Sequence, residues 1–271
     1  MPAIQLARLR IQSAELVNHY SDPATFVRSL HELLNDYADQ THHPGQSGVP
    51  APLLFAYGVQ LPVLREIFRV VTPLLTSDIP AAFVLMDRLW IENCQEFRLL
   101  AIFILGFLTP DPVERILDRI QAWAIPTTES RLLDALLSIG LDSVRHELPM
   151  AFYDLITNWF ISQESFNWHL GLRAILPLEN EPQIINLPVL FRLITPLVRT
   201  TPAFLRSDLL DVLGIFIRRS PQETAYLFRQ ILGMPENPDT AWLIRQCLRE
   251  FPPDLQAGIR SELRESVTTS D

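Results

Sequence analysis

Apolar side chains recur at helical spacing along most of the chain. In the segment after Pro62 they share one face of a helix, at Leu64, Ile67, Phe68, Val71 and Leu75. The same spacing predicts helices over residues 4–19, 23–40, 62–75, 80–90, 95–108, 112–122, 128–137, 149–160, 165–176, 183–198, 202–218, 221–232, 240–250 and 253–265. No stretch alternates as a strand does, and no Asn-Gly hairpin occurs.

Prolines mark the predicted helix starts. A polar residue followed by proline supplies an N-cap and a suitable first helical position, as at Asp22-Pro23, Asp111-Pro112, Thr201-Pro202 and Ser220-Pro221. The turns between helices are short, which favours antiparallel neighbours. The sequence therefore predicts an all-α fold of paired helices that pack as repeats.

One long polar loop interrupts this pattern at residues 41–52. It divides the expected single domain, residues 1–271, into an N-terminal helical pair (1–40) and a series of helical repeats (53–265). The loop contains His42 and His43, but no acid or cysteine stands nearby at ligand spacing. We therefore expect no metal site there, and no other motif implies a cofactor.

Three groups of residues stand out between Tyr57 and Phe251. They are Gly58, Val59, Pro62, Leu64 and Arg65; then Leu89, Trp90, Glu96, Arg98 and Ala101; and finally Leu248, Arg249, Glu250 and Phe251. In type, order and separation they resemble the motifs of the DNA alkylation repair (AlkD-like) family. The resemblance implies an α-α superhelix, a solenoid of HEAT-like repeats, and the best-studied members of that family excise alkylated purines from DNA.

The resemblance also implies a site. Positive charge develops on the sugar as an alkylated base leaves, and a nearby carboxylate stabilises it; the family's carboxylate falls here on Asp134. The tryptophan expected four residues earlier falls on Ser130. The family's arginine pair falls on Gly171 and Leu172, one step before Arg173. Of the expected site, only the carboxylate stands in register.

Other residues extend the candidate DNA-binding set. Trp168 is a candidate replacement for the family's aromatic residue, and Arg65, Arg98 and Arg131 are candidates for DNA contact alongside Arg173. Each has a structural alternative. Asp134 would cap a helix or pair with an arginine, Arg173 would pair with a carboxylate, and the tryptophans would fill the core.

The types of charged residue and the net charge limit the functions that the chain can have. All 22 basic residues are arginine, which excludes a lysine Schiff base, a strand-cleaving lysine glycosylase and a Walker-type phosphate loop. The net charge of −9, without a basic block, means that any positive surface must be assembled by folding.

Two hypotheses follow from these observations. In the first, the chain is a solenoid with an altered or lost glycosylase site, which binds duplex DNA or a protein partner along its concave face. In the second, it is an active, monofunctional alkylpurine glycosylase that uses Asp134. We expect a cytoplasmic monomer without a membrane segment or signal peptide, and two free buried thiols at Cys94 and Cys247.

Overall fold

The structure is a computed structural model that describes residues 6–38, 54–109, 111–127 and 129–268. Within these ranges the chain is helical and contains no β-strand, apart from an isolated bridge between Phe55 and Cys94. The predicted all-α class is therefore confirmed. The predicted loop at 41–52, with its two histidines, lies outside the described residues.

The chain divides into two compact units, Met1–Ala151 and Phe152–Asp271. The first holds α1 (Leu6–Val17), α2 (Pro23–Asp36), α3 (Leu61–Ser77), α4 (Ile79–Ile91), α5 (Gln95–Phe107), α6 (Glu114–Ala124), α7 (Ser130–Ala135), a π-helix (Leu136–Gly140) and α8 (Asp142–Glu147). The second holds most of α9 (Pro149–Ile161), then α10 (Ser165–Ile175), α11 (Leu187–Arg199), α12 (Arg206–Arg219), α13 (Pro221–Leu232), α14 (Thr240–Cys247) and α15 (Pro253–Thr268). The arrangement of the whole chain as one solenoid domain stays a prediction.

Polar side chains cap three of the described helices, and of these caps only Asp22 was expected from the sequence. Ser220, another expected cap, precedes α13 but its side chain makes no cap hydrogen bond. The carboxylate of Asp22 accepts hydrogen bonds from the first backbone N–H groups of α2, and Asp78 does the same for α4. Asn186 caps α11 in the same way, at 3.4 Å from the N–H of Val189. Each cap satisfies an N–H group that has no partner within its helix.

Other boundaries differ from the sequence prediction. Helix α6 begins at Glu114 rather than at Pro112, and α12 begins at Arg206 after a short 3₁₀ turn. The sequence predicted a helix over 128–137 and the next from 149, so α8 between them was not predicted. A Cβ at Gly140 would lie 3.2–3.3 Å from side-chain atoms of Leu136 and Ile120, so this glycine serves close packing.

One helix in each unit lies at the centre of its core. Helix α5 is buried from Glu96 to Gly106 on nearly every face and packs against α3, α4, α7, α8 and the π-helix. In the second unit α12 has the same role among α10, α11, α13 and α14. Among the described helices, none has the length and apolar character needed to cross a bilayer.

Candidate functional site

The loop before α3 is attached to the start of α5 by a buried carboxylate. Glu96, which is 4% exposed, accepts hydrogen bonds from the backbone N–H groups of Tyr57 and Val59, both at 3.2 Å. Gly58 lies between these two residues with a φ of 69°, a conformation that disfavours other residues. The hydrogen bonds of Glu96 thus connect the motif around Gly58 with the motif around Glu96, which lie far apart in sequence.

The thiol of Cys94 belongs to the same arrangement. Its Sγ–H donates to Glu96 Oε2 at 3.3 Å. Burial, and after it the negative charge of Glu96, raise the pKa of Cys94 to about 12. Cys94 and Cys247 are both free and buried, as the sequence predicted, so neither is placed as a nucleophile.

Replacing Glu96 by glutamine is expected to destabilise the protein by about 2–3 kcal/mol, because the amide NH₂ would face a backbone N–H and leave it without an acceptor. Urea denaturation measures this change. Glu32→Gln is the matched control, since Glu32 is exposed on α2 and should shift the free energy of unfolding by less than about 0.5 kcal/mol. Equal stabilities of the two variants would contradict this account of Glu96.

Asp134 lies on α7, just before that helix changes into the π-helix. Its side chain is half-buried, while Leu132 and Leu133 beside it are buried in the core. Arg131, three residues earlier, is exposed on the same helical face. Ser130 is the first residue of α7, so no tryptophan stands one turn before the carboxylate.

The π-helix is held from two sides. Arg145 is only 2% exposed, and its guanidinium donates to the carbonyl of Leu137 at 3.4 Å and to Asp142 at 3.0 Å. On the other side α5 passes so close that a Cβ on Gly106 would lie 1.8 Å from the Ile139 carbonyl oxygen. The backbone that follows Asp134 is therefore positioned by an arginine and a glycine together.

Arg98 stacks on the ring of Trp90 rather than forming an ion pair among the described residues. Its guanidinium carbon lies 4.9 Å from the ring centre of Trp90. Trp90 stacks on the buried Trp123, with ring centres 4.2 Å apart and planes only 5° from parallel. Burial lowers the pKa of Arg98, and its Nε has no hydrogen-bond partner among the described residues. The stack orients the cation without neutralising it.

Arg65 lines a largely apolar groove of about 530 Å³ in the first unit, and the carboxylates of Asp142 and Glu147 line the same groove. Its walls include Phe68, Phe103 and Phe107, and Gly106 contributes to its lining. Arg65 itself is exposed.

The two site candidates of the second unit have internal partners. Arg173 Nη1 lies 3.4 Å from the buried carboxylate of Asp208, which also contacts His169 Nδ1 at 2.6 Å. Trp168 donates its indole N–H to the carbonyl of Ser162 at 2.9 Å. The positive charge of Arg173 is thus offset inside the protein.

A comparison of the sequence with protein-family models identifies a family. The model described as DNA alkylation repair enzyme matches residues 32–207, well over half of the 271 residues. The chain belongs to this family. No curated protein and no solved structure was found to match it.

All six candidate site residues of this family member lie inside the matched range. Asp134, Arg65, Arg98 and Arg131 are in the first unit, whereas Trp168 and Arg173 are in the second. The C-terminal motif at residues 248–251 lies beyond the match.

Sequence reasoning missed two features of this family member. The first is the Trp90–Trp123 stack, because both tryptophans were assigned to the core and their spacing of 33 positions gives no sign of contact. The second is Asp208, which had no motif around it, although its contacts decide the charge environment of Arg173. Both features depend on helices that are distant in sequence.

Proposed function

We propose that this family member binds duplex DNA through arginines of its first unit, with an altered glycosylase site. One observation carries the proposal. The side chains of Arg65, Arg98 and Arg131 form no ion pair or hydrogen bond with any residue that the structure describes, and arginine is well suited to bidentate phosphate contact.

The first unit contains eight other arginines. Two of these, Arg28 and Arg115, also form no ion pair among the described residues, and Arg115 stacks on Phe83. The other six form ion pairs with carboxylates, namely Arg8, Arg10, Arg69, Arg88, Arg119 and Arg145. In a chain with a net charge of −9, arginines without a carboxylate partner are the positive charges that stay available to an outside anion. A phosphate backbone would supply the missing anions.

The alteration of the glycosylase site rests on the residues around Asp134. Ser130 offers no aromatic face to a cationic nucleotide, and the charge of Arg173 is offset by Asp208. The carboxylate therefore lacks the neighbours that the family resemblance implies. Binding is the better supported function, and excision is the second candidate.

Equilibrium binding to a methylated duplex tests the proposal. Fluorescence anisotropy should show affinity that falls linearly with salt on logarithmic axes. In the same mixture we expect no release of free 3-methyladenine or 7-methylguanine. Absence of binding even at low salt would overturn the proposal.

One observation favours excision as the alternative. Asp134 is a half-buried carboxylate immediately before a π-helix, and such helices occur frequently at functional sites. If the duplex releases methylated purine and Asp134→Asn stops the release while still binding DNA, Asp134 is the stabilising carboxylate. The alternative is excluded if the wild-type protein releases no base.

A further inference from the structure

The second unit contains a pocket lined by arginines that the sequence analysis did not identify as a group. The pocket measures about 390 Å³ between α14 and α15, and its lining residues are Arg245, Leu248, Arg260, Leu263 and Arg264. No carboxylate is among these lining residues. All three arginines are exposed.

The arginines come together because two helices each direct basic residues toward the same space. Arg260 and Arg264 are one turn apart on α15, where like charges repel each other. Arg245 adds a third positive charge from α14. Arg264 has an interaction partner of its own, so the positive charge that an anion would meet is chiefly that of Arg245 and Arg260.

Two carboxylates close in sequence pair with arginines outside the pocket. Glu262, between the two arginines of α15, pairs with Arg229 of α13 at 2.5 Å. Glu250, which follows α14, pairs with Arg218 at 3.2 Å. These two acids are therefore held by arginines outside the pocket.

Two of the pocket arginines keep donors for an outside anion. Arg245 has no hydrogen-bond or ion-pair partner among the described residues. Arg260 donates through Nη2 to the neutral Gln256 Oε1 at 2.9 Å, so its charge is not offset there. A guanidinium has five N–H donors, and this contact uses only one side of it.

The geometry points to a phosphate-binding pocket formed by Arg245, Arg260 and Arg264. Tetrahedral phosphate oxygens accept several charge-assisted hydrogen bonds at once, which suits converging guanidinium groups. The leucines provide an apolar base that excludes water from these bonds. The shared chemistry is the phosphate oxyanion, whether it belongs to a nucleic-acid backbone or to a free phosphate compound.

Inorganic pyrophosphate and duplex DNA, titrated separately, distinguish the two sources. The double variant Arg245→Gln/Arg260→Gln is expected to bind the true ligand about tenfold more weakly or worse than wild type. The matched control is Arg192→Gln/Arg219→Gln, which removes the same charge from exposed positions of the same unit outside the pocket. Thermal melting checks that both variants are folded, as expected for exposed positions.

Each outcome decides the matter. Pyrophosphate binding that is lost only in the pocket variant establishes a site for free phosphate compounds. Loss of DNA affinity alone, again only in the pocket variant, assigns the pocket to the nucleic-acid backbone. Unchanged affinity for both ligands overturns the inference. The pocket variant keeps Arg65, Arg98 and Arg131. Unchanged affinity in this variant would therefore overturn the inference about the pocket without contradicting the proposed function.

Discussion

The triple variant Arg65→Gln/Arg98→Gln/Arg131→Gln is expected to bind duplex DNA on the order of a hundredfold more weakly than wild type at moderate salt. Each lost arginine–phosphate contact should also lower the slope of log affinity against log salt by about 0.9. The expected change in slope for three contacts is therefore about 2 to 3. Anisotropy titrations across a salt series measure both quantities.

A control with the same charge separates direct contact from long-range attraction. Arg8, Arg69 and Arg88 pair with Asp36, Glu66 and Glu92 in the same unit. Replacing all three by glutamine makes the same change in net charge, and exposed ion pairs contribute little to stability. We expect a loss of affinity below about threefold and an almost unchanged slope. If both triple variants lose affinity equally, the proposed contacts are wrong.

The second large effect concerns the backbone beside Asp134. A Cβ on Gly106 would meet the carbonyl oxygen of Ile139 at 1.8 Å and its carbonyl carbon at 2.8 Å. These are backbone atoms, so neither can rotate away, and α5 or the π-helix must shift. Gly106→Ala is expected to lower the free energy of unfolding by about 3 kcal/mol or more.

Gly258→Ala is the control for this substitution. On α15 the added methyl group would meet only the end of the Arg229 side chain, at 4.0 Å. Alanine should therefore stabilise the helix by about 0.5–1 kcal/mol. Urea denaturation of both variants gives the comparison. A Gly106→Ala variant within about 1 kcal/mol of wild type would show that the contact between α5 and the π-helix is looser than described.

The helices could be predicted because their determinants are local. In α3 apolar residues recur every three or four positions, so Leu64, Ile67 and Val71 lie on one buried face. In α2 the capping residue Asp22 lies next in sequence to the N–H groups that it satisfies. Boundaries failed where a tertiary contact overrode a local signal. The predicted helix over 128–137 ends near Gly140, where a Cβ would lie only 3.2–3.3 Å from side-chain atoms of Leu136 and Ile120 and where the chain continues through the π-helix into α8.

The candidate site was less predictable because its decisive contacts join distant helices. Nothing near Arg173 indicates that Asp208, 35 positions later, would offset its charge. The stack of Arg98 on Trp90 also depends on how α4 and α5 pack. Asp134 and the three arginines could be chosen from the family resemblance, whereas their partners required the fold.

Protection of arginines by DNA tests the central claim most directly. Since the chain has no lysine, an arginine-specific dicarbonyl reagent with mass-spectrometric detection reports on each guanidinium without competing side-chain amines. Saturating duplex DNA should slow the modification of Arg65, Arg98 and Arg131, while Arg8 and Arg69 react as before. If DNA leaves the modification rate of each of these five arginines unchanged, the proposal that Arg65, Arg98 and Arg131 bind the phosphate backbone is contradicted.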